Sequence, residues 1–453
     1  MFLVNIPTDV AKVKLYWQLI TGLFALTLSL IVLLILDNQS FVVEQKIEYT
    51  IHLLTAVATI VGLGIIAYNV HYTRMLVKEI QEKHNNGSNM SSAKLLLLEK
   101  LIENQEIQIE VNYTDPGDDK TPKDFYQAVE QLGSDKASAR LGAIYTLEQI
   151  AKDSPSKQWT IIETLAAFIR ENAPYAKNDD EELDEIEELI LLPTDIQAAL
   201  TVIARRDVSK ESENQKIDLR YVDITGADLS GANLQNADFT GSCLQGCLFM
   251  QANLQGVDFS EVDMQSSVLY EANLTEALFY EANLTAAVLP KANLSKAVFY
   301  QANLNLATLY DTNLTEAVFY QANLEGANLS DANLKLANLE ACNICHANLI
   351  GANLTGANLI GANLRNASLS TACLTEAILF EATLSKANLY NVNLTHANLV
   401  GANLTNTTLQ DADLSGADLS RVQNLEQQQL ELAQGNTNTT LPQHLTPPTT
   451  WTK

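Results

Sequence analysis

Residues 351–364 read GANLTGANLIGANL, with a leucine at every fifth position and an alanine two residues before it. The same register, with a large apolar residue at nearly every centre, runs from Leu219 to Leu419 and gives about 41 consecutive units. An α-helix repeats every 3.6 residues and a β-strand every 2.0, so neither accommodates a five-residue period. An internal repeat of this length predicts a solenoid whose stacked coils share one core.

The spacing of aromatic residues predicts the size of one coil. Phenylalanine occupies a central position at intervals of twenty residues: Phe239, Phe259, Phe279, Phe299 and Phe319. A coil of four five-residue sides would stack these rings directly above one another. About 41 units then make about ten coils, and at ~4.8 Å per coil the rod is roughly 50 Å long.

Two runs of the repeat carry a family resemblance. Residues 231–234 (GANL) and 351–359 (GANLTGANL) resemble the A-[DN]-L-x-x motif of pentapeptide-repeat proteins. This resemblance implies a right-handed quadrilateral β-helix over residues 217–421. The tail from Leu425 to Trp451, which begins LEQQQLELAQ, is similar to the C-terminal helix and tryptophan-ended cap of bacterial, notably cyanobacterial, members, which implies a C-terminal helical cap over residues 422–453. No enzymatic activity and no cofactor accompany the resemblance.

A small all-α domain, similar to HEAT-type repeats, is predicted over residues 123–210. Apolar residues recur there at helical spacing in three segments: 125–132, 141–150 and 161–169. A helix and a linker rich in Pro, Gly and Asp are expected before it, over residues 91–122. The acidic run Asp179–Glu188 lacks spaced ligands and a turn glycine, so a solvated insertion is favoured over a divalent-cation site.

Two uncharged apolar segments, about 16–36 and 51–70, predict a transmembrane α-hairpin. It would lie within a membrane anchor of residues 1–90 that ends in a juxtamembrane helix. Each segment has about 20 residues, enough to cross ~30 Å of hydrocarbon. A cleaved signal peptide is disfavoured because the first segment is too long and lacks a cleavage motif before Asp37. Lys and Arg are denser outside the hairpin than in its connection, which predicts cytoplasmic termini. These features predict a multi-pass protein of a bacterial inner (plasma) or thylakoid membrane, with the lipid bilayer as a partner.

The overall charge argues against direct nucleic acid binding. The chain carries 54 acidic and 28 basic residues, a formal net charge of −26, and an acidic surface repels phosphate. Five clustered cysteines are too few for a disulfide framework and fit a reducing compartment.

One motif inside the repeat matches the sequence signature of a haem-attachment site. Residues 342–346 (CNICH) match the haem-attachment signature C-x-x-C-H. The repeat register places Cys342 inward but Cys345 and His346 outward, so we expect no haem and no metal here. The sequence contains no recognisable nucleophile–base set or phosphate-binding loop, and we therefore predict no catalytic residues.

Outward-facing tyrosines form the candidate interaction surface: Tyr270, Tyr280, Tyr300, Tyr310 and Tyr320. A twenty-residue coil places Tyr280, Tyr300 and Tyr320 in one ladder and the other two on the opposite side. Exposed aromatic stripes often mark partner sites. The alternative is that the tyrosines only stabilise coil stacking through ladder contacts.

These observations predict a membrane-tethered, non-enzymatic scaffold that presents its β-helix to a protein partner at the cytoplasmic face. The partner's identity stays open, and oligomerisation is possible. The alternative is an acidic rod that imitates DNA and inhibits an enzyme such as a topoisomerase, as some members of the resembled family do. The rod has roughly 20 acidic and about 7 basic residues, which permits this reading. Its many neutral Asn, Ala and Thr residues argue against it.

Overall fold

The computed structural model describes residues 121–175, 192–212 and 215–452. Four helices open this part of the chain: α1 (Thr121–Leu132), α2 (Ala137–Asp153), α3 (Gln158–Asn172) and α4 (Thr194–Ala204). Helix α2 packs against the other three, and α4 also packs against α3. Their buried faces form a core that includes Ile144, Leu147, Leu165 and Leu200, all 0% exposed.

A four-sided β-helix follows the helices and occupies most of the described chain. The residue before each centre forms a parallel bridge with the residue twenty positions later, from Asp218↔Asp238 to Asn403↔Gln423. One coil therefore contains twenty residues and four five-residue units, as the phenylalanine spacing predicted. The last residue of each unit has a positive φ, between 52° and 75°, which suits the third position of a type II turn.

Every backbone N–H of a typical unit has a partner, as the unit 352–356 illustrates. The N–H of Asn353 donates to the preceding coil (2.9 Å), and those of Leu354 and Gly356 donate to the following coil (2.7 and 2.9 Å). The N–H of Ala352 closes the preceding turn at 3.1 Å. The remaining N–H, from Thr355, donates to Oδ1 of Asn353 at 3.1 Å. The repeat favours Asn or Asp before each centre because their short side chains accept this last bond.

The core of the rod is a column of central side chains, and the phenylalanines stack within it as predicted. Phe279 is fully buried, and its ring centroid lies 5.3 Å from that of Phe259 and 4.7 Å from that of Phe299. Phe249, on another side of the coil, meets Phe259 edge-on with centroids 6.2 Å apart. Burial of these rings and of the aliphatic centres supplies the main stabilisation of the solenoid.

The helical domain covers the open edge of the first coil. The carbonyl of Ala173 accepts from Asp223 N–H (2.8 Å), and the carbonyl of Ala204 accepts from Asn233 N–H (3.2 Å). The side-chain amide of Gln197 both donates to and accepts from the backbone of Asp228, at 2.8 and 2.9 Å. Two guanidinium groups complete the contact: Arg170 donates to the carbonyl of Asp218, and Arg206 to that of Asn233. Each of the four sides of the first coil thereby gains a partner, which protects an edge that would otherwise pair with another chain.

A C-terminal cap covers the opposite end of the rod. The short helix α5 (Gln427–Glu431) follows the last unit, and Gln434 and Thr440 form parallel bridges to the last coil. The indole of Trp451 is 3% exposed, and its Nε1 donates to the carbonyl of Ala433 at 3.0 Å. The cap thus continues the backbone pairing and closes the hydrophobic column.

The predicted transmembrane α-hairpin requires a correction. Within the described residues no helix is long and apolar enough to cross a membrane: α2, the longest, has 17 residues and carries charged side chains such as Arg140. The predicted spans, 16–36 and 51–70, lie outside the described residues, as do the juxtamembrane helix and most of the predicted linker. The supported fold class is therefore a helical domain followed by a capped pentapeptide-type β-helix. The predicted multi-pass membrane localisation with cytoplasmic termini, and the lipid bilayer as a partner, lose their support with the hairpin.

Candidate interaction surface

The structure brings three of the five predicted tyrosines into one ladder. The ring centroids of Tyr280 and Tyr300 are 6.0 Å apart, and those of Tyr300 and Tyr320 are 5.6 Å apart. Tyr280, at the end of the ladder, is 41% exposed, and the other two rings are partly exposed. Each tyrosine directly follows a buried phenylalanine of the core stack, so the rigid interior fixes the spacing of the ladder.

A second apolar row, which was not predicted from the sequence, runs beside the ladder. Leu278, Val298 and Val318 occupy the position before the centre, where most units carry Asn or Asp, and all three are partly exposed. The signal was present at the same twenty-residue spacing as the tyrosines. Together these two rows form what we call the tyrosine face: Leu278, Val298, Val318, Tyr280, Tyr300 and Tyr320. It spans three coils and has an aromatic ridge beside an aliphatic row.

The same side of the rod carries another apolar group two coils further along. Ile378 and Phe380 are 38% and 36% exposed, and Ile360 and Val400 lie one coil before and after Phe380 on the same row. These positions also follow the twenty-residue period. One side of the rod is therefore apolar in two separate segments. If the tyrosines only stabilised the stacking of their own coils, a second apolar segment on the same side would not be needed.

Carboxylates border the tyrosine face on every side. Glu276 and Glu316, with Lys296 between them, lie at the corner before the face, and Glu261 and Glu281 lie at the corner after it. Asp258 precedes the aliphatic row by one coil, and Glu340 follows the tyrosine ladder by one coil. None of these six carboxylates belongs to an ion pair within the described part of the chain. The border consequently holds six acidic groups and one basic group; Asp258 and Glu340 also accept hydrogen bonds, from Ser260 and Asn358.

Tyr270 and Tyr310 lie on the opposite side of the rod, in a row with Pro290 between them. Leu248, Val268 and Val288 form the neighbouring row, so this side, which we call the proline face, is also apolar. A hydrogen bond to Glu271 raises the pKa of Tyr270, and hydrogen bonds from Gln251 and Tyr270 lower the pKa of Glu271. The polar side chains of Tyr270, Glu271 and Gln251 at this face thus form hydrogen bonds with one another.

The cysteines do not assemble a cofactor or metal site in the described residues. Cys342 is buried and its Sγ donates to the carbonyl of Phe319 at 2.6 Å, whereas Cys345 and His346 lie on the outer surface. Burial raises the pKa of Cys247 and of Cys342 to about 12. No group of His, Cys, Asp and Glu that could hold a metal ion occurs among the residues that the structure describes. The acidic run Asp179–Glu188 lies outside them.

A third side of the rod is neutral and polar along the four coils that contain Asn253 to Asn313. The side-chain amides of Asn253, Asn273, Asn293 and Asn313 form a hydrogen-bonded ladder, with Asn313 Nδ2 2.8 Å from Asn293 Oδ1. Hydroxyls such as that of Thr315 accompany it, 2.7 Å from Asn313 Oδ1. The rod therefore has chemically distinct sides, and its negative charge is not spread evenly around it.

A cleft of about 640 Å³ opens on the helical domain. Its lining comes from α1, the loop that follows it and the start of α2: Tyr126, Gln127, Glu130, Gln131, Ser134 and Ala139. Glu130 is the single carboxylate in this lining, and no imidazole or thiol accompanies it. The lining of this cleft therefore contains no paired acid and base that could support catalysis.

Comparison with known proteins identifies relatives of the rod. The family model of pentapeptide repeats matches eight copies within residues 215–379 and 387–422. HetL, a pentapeptide repeat protein involved in heterocyst differentiation regulation in the cyanobacterium Nostoc sp. strain PCC 7120, is 32% identical. That alignment covers 50% of this chain and 92% of HetL, with a TM-score of 0.26.

Two further solved structures have similar sequences. A pentapeptide repeat protein from the Arabidopsis thaliana thylakoid lumen is 36% identical, with 25% of this chain and 77% of that chain covered and a TM-score of 0.20. Another from Nostoc PCC 7120 is 33% identical, with 26% and 74% covered and a TM-score of 0.13. No curated protein matches the chain significantly.

Proposed function

Because this chain belongs to the pentapeptide-repeat family, we propose that it is a non-enzymatic scaffold that binds a protein partner through the tyrosine face. The observation that carries this proposal is the pairing of a partly exposed aromatic ladder with a partly exposed aliphatic row on one side of a rigid rod. Contiguous exposed apolar patches commonly mark protein interaction sites, and tyrosine is enriched among the residues that dominate binding energy.

The rigidity of the rod supports a scaffolding role. Each tyrosine is held by a fully buried neighbour in a hydrogen-bonded coil, so little conformational entropy is lost when a partner docks. The ladder alone could serve coil stacking. The row of Leu278, Val298 and Val318 widens the apolar surface beside the ladder. A second apolar group, around Phe380, lies further along the same side of the rod.

Crosslinking and affinity capture from native lysate test the proposal. The full chain is compared with a variant that carries Tyr280→Ser, Tyr300→Ser and Tyr320→Ser. A matched control carries Thr275→Ala, Ser295→Ala and Thr315→Ala on the asparagine side. We expect one defined partner to be lost with the tyrosine variant and kept with the control. Equal capture by both variants would refute the proposal, provided that circular dichroism shows both to be folded.

A further inference from the structure

The charged residues at the border of the tyrosine face indicate which class of partner binds there. We propose, on the basis of the function proposed above, that the occupant is a basic amphipathic α-helix, with apolar residues along one stripe and Lys or Arg beside it.

The dimensions of the face fit a helix that lies along the rod axis. Successive coils are ~4.8 Å apart, close to the 5.4 Å pitch of an α-helix. Apolar residues at positions i, i+4 and i+7 of a helix would therefore meet three successive coils, which is the length of the tyrosine face. The aromatic ridge of Tyr280, Tyr300 and Tyr320 would flank one side of such a helix, and the Val298 row would contact its apolar stripe.

The charges select a basic occupant. Six carboxylates and one ammonium group border the face, and none of the carboxylates is in an ion pair within the described residues. Lys and Arg on the flanks of a docked helix would meet Glu276, Glu281 and Glu316 at the rim. A second copy of this chain, docked through its own tyrosine face, would instead bring the same carboxylates together, and like charges oppose such contact.

The proline face provides the contrast. The corner before it carries Ser266, Ala286 and Leu306, none of them charged, and Lys291 lies between Glu271 and Asp311 at the corner after it. The border of the proline face thus holds three carboxylates, Glu271, Asp311 and Asp331, all at one corner and beside one ammonium group, whereas six carboxylates surround the tyrosine face. The proline face should consequently prefer a basic partner less strongly than the tyrosine face does.

Fluorescence polarisation with defined peptides tests this inference on the full chain. The probe is a fluorescein-labelled amphipathic peptide of about 18 residues, long enough for helix formation in water, with Leu on one face and Lys beside it. A second probe has Gln in place of every Lys. We expect the Lys peptide to bind about tenfold more tightly at low salt, since exposed charge pairs contribute little individually, and this preference should shrink as salt increases.

Two variants with equal change in net charge locate the effect. The border variant carries Glu276→Gln, Glu281→Gln and Glu316→Gln, and the control carries Glu271→Gln, Asp311→Asn and Asp331→Asn beside the proline face. We expect the border variant to lose most of the preference for Lys and the control to retain it within about twofold. Equal loss in both variants, equal binding of the two peptides, or no binding of either would overturn the inference.

The lysate capture described above separates this inference from the function on which it rests. If the border variant keeps the native partner while the tyrosine variant loses it, the face is an interaction site but its occupant is not basic. If both variants keep the partner, the proposed function itself fails.

Discussion

The indole of Trp451 lies directly against Gly435, so that a Cβ at that glycine would be 2.6 Å from two of its ring carbons. The indole is buried and its N–H is held by the carbonyl of Ala433, so it has little room to move. A glycine and a tryptophan sixteen residues apart thus close the C-terminal end of the hydrophobic column.

Gly435→Ala should therefore dislodge Trp451 and destabilise the cap. We expect a loss of about 1–3 kcal/mol in the free energy of unfolding, typical of overpacking a closely packed site. Gly142→Ala in helix α2 is the matched substitution: a Cβ there meets nothing within 4 Å, and alanine favours a helix, so stability should rise by up to ~1 kcal/mol. Urea unfolding measures both, and opposite signs are the expected result.

The stacked core predicts a large difference between neighbouring residues. Phe279→Ala should cost ~3–5 kcal/mol, because it leaves a cavity between Phe259 and Phe299. Phe279→Asp should also cost several kcal/mol, since it buries an unpaired carboxylate. Tyr280→Ala, one residue later on the outer surface, should cost within roughly 1 kcal/mol. Thermal melts of the three variants check this, and equal losses at the two positions would contradict the assigned register.

The junction between the helical domain and the rod depends on a buried ion pair. Nε of Arg206 lies 2.8 Å from Oε1 of Glu211, with the two side chains only 1% and 8% exposed. Burial lowers the pKa of Arg206, and Glu211 opposes this shift. Arg206→Met should cost ~3–5 kcal/mol, because it strands both the Glu211 carboxylate and the carbonyl of Asn233.

Two further variants isolate the cause of that loss. Arg220→Met removes a solvated pair with Asp218, in which the side chains are 49% and 37% exposed, and should cost at most ~1 kcal/mol. Adding Glu211→Leu to Arg206→Met should recover part of the lost stability, since no charge is then left buried alone. Chemical unfolding of the four proteins gives the comparison. Similar losses for Arg206→Met and Arg220→Met would show that the junction does not depend on the buried pair.

The repeat made the rod predictable because the direction of each side chain depends only on its position within five residues. Phe279 and Tyr280 could be assigned to the core and to the surface from the register alone. The ladder of Tyr280, Tyr300 and Tyr320 followed from the twenty-residue coil. The row that includes Val298 has the same spacing, but it occupies a position that carries Asn or Asp in most units, so the five-residue register alone does not predict an apolar surface there.

The covered first coil could not be predicted in the same way. Arg206 and Gln197 donate to backbone carbonyls 27 and 31 residues later, and no period relates these positions. Such contacts depend on how the helices pack on the rod, which a pattern of apolar residues does not specify. The transmembrane prediction rested on the hydropathy, length and flanking charges of segments 16–36 and 51–70, and no helix in the described residues is long and apolar enough to cross a membrane.

The cysteines supply a prediction about chemical reactivity. Burial opposes ionisation of Cys373, but its hydrogen-bond contacts with the hydroxyls of Thr355 and Thr375 and with the backbone of Thr375 outweigh it and lower its pKa below the ordinary value. For Cys247 and Cys342, burial raises the pKa to about 12. Since the thiolate is the nucleophile, iodoacetamide at pH 8 should alkylate Cys373 rapidly, while Cys247 and Cys342 should react only when the rod opens.

Substitution of the two threonines, with measurement at different pH values, tests whether hydrogen bonds or solvent exposure control the reactivity of Cys373. Thr355→Val with Thr375→Val removes the two hydroxyls, so the pKa of Cys373 should rise and its alkylation at pH 7 should slow. The difference should vanish at a pH well above both pKa values, where the thiolate dominates in either protein. Mass spectrometry of the alkylated peptides measures each site separately. If Cys247 in the folded chain reacts as fast as Cys373, or if the valine variant reacts unchanged at pH 7, the hydrogen-bonded environment does not control these thiols.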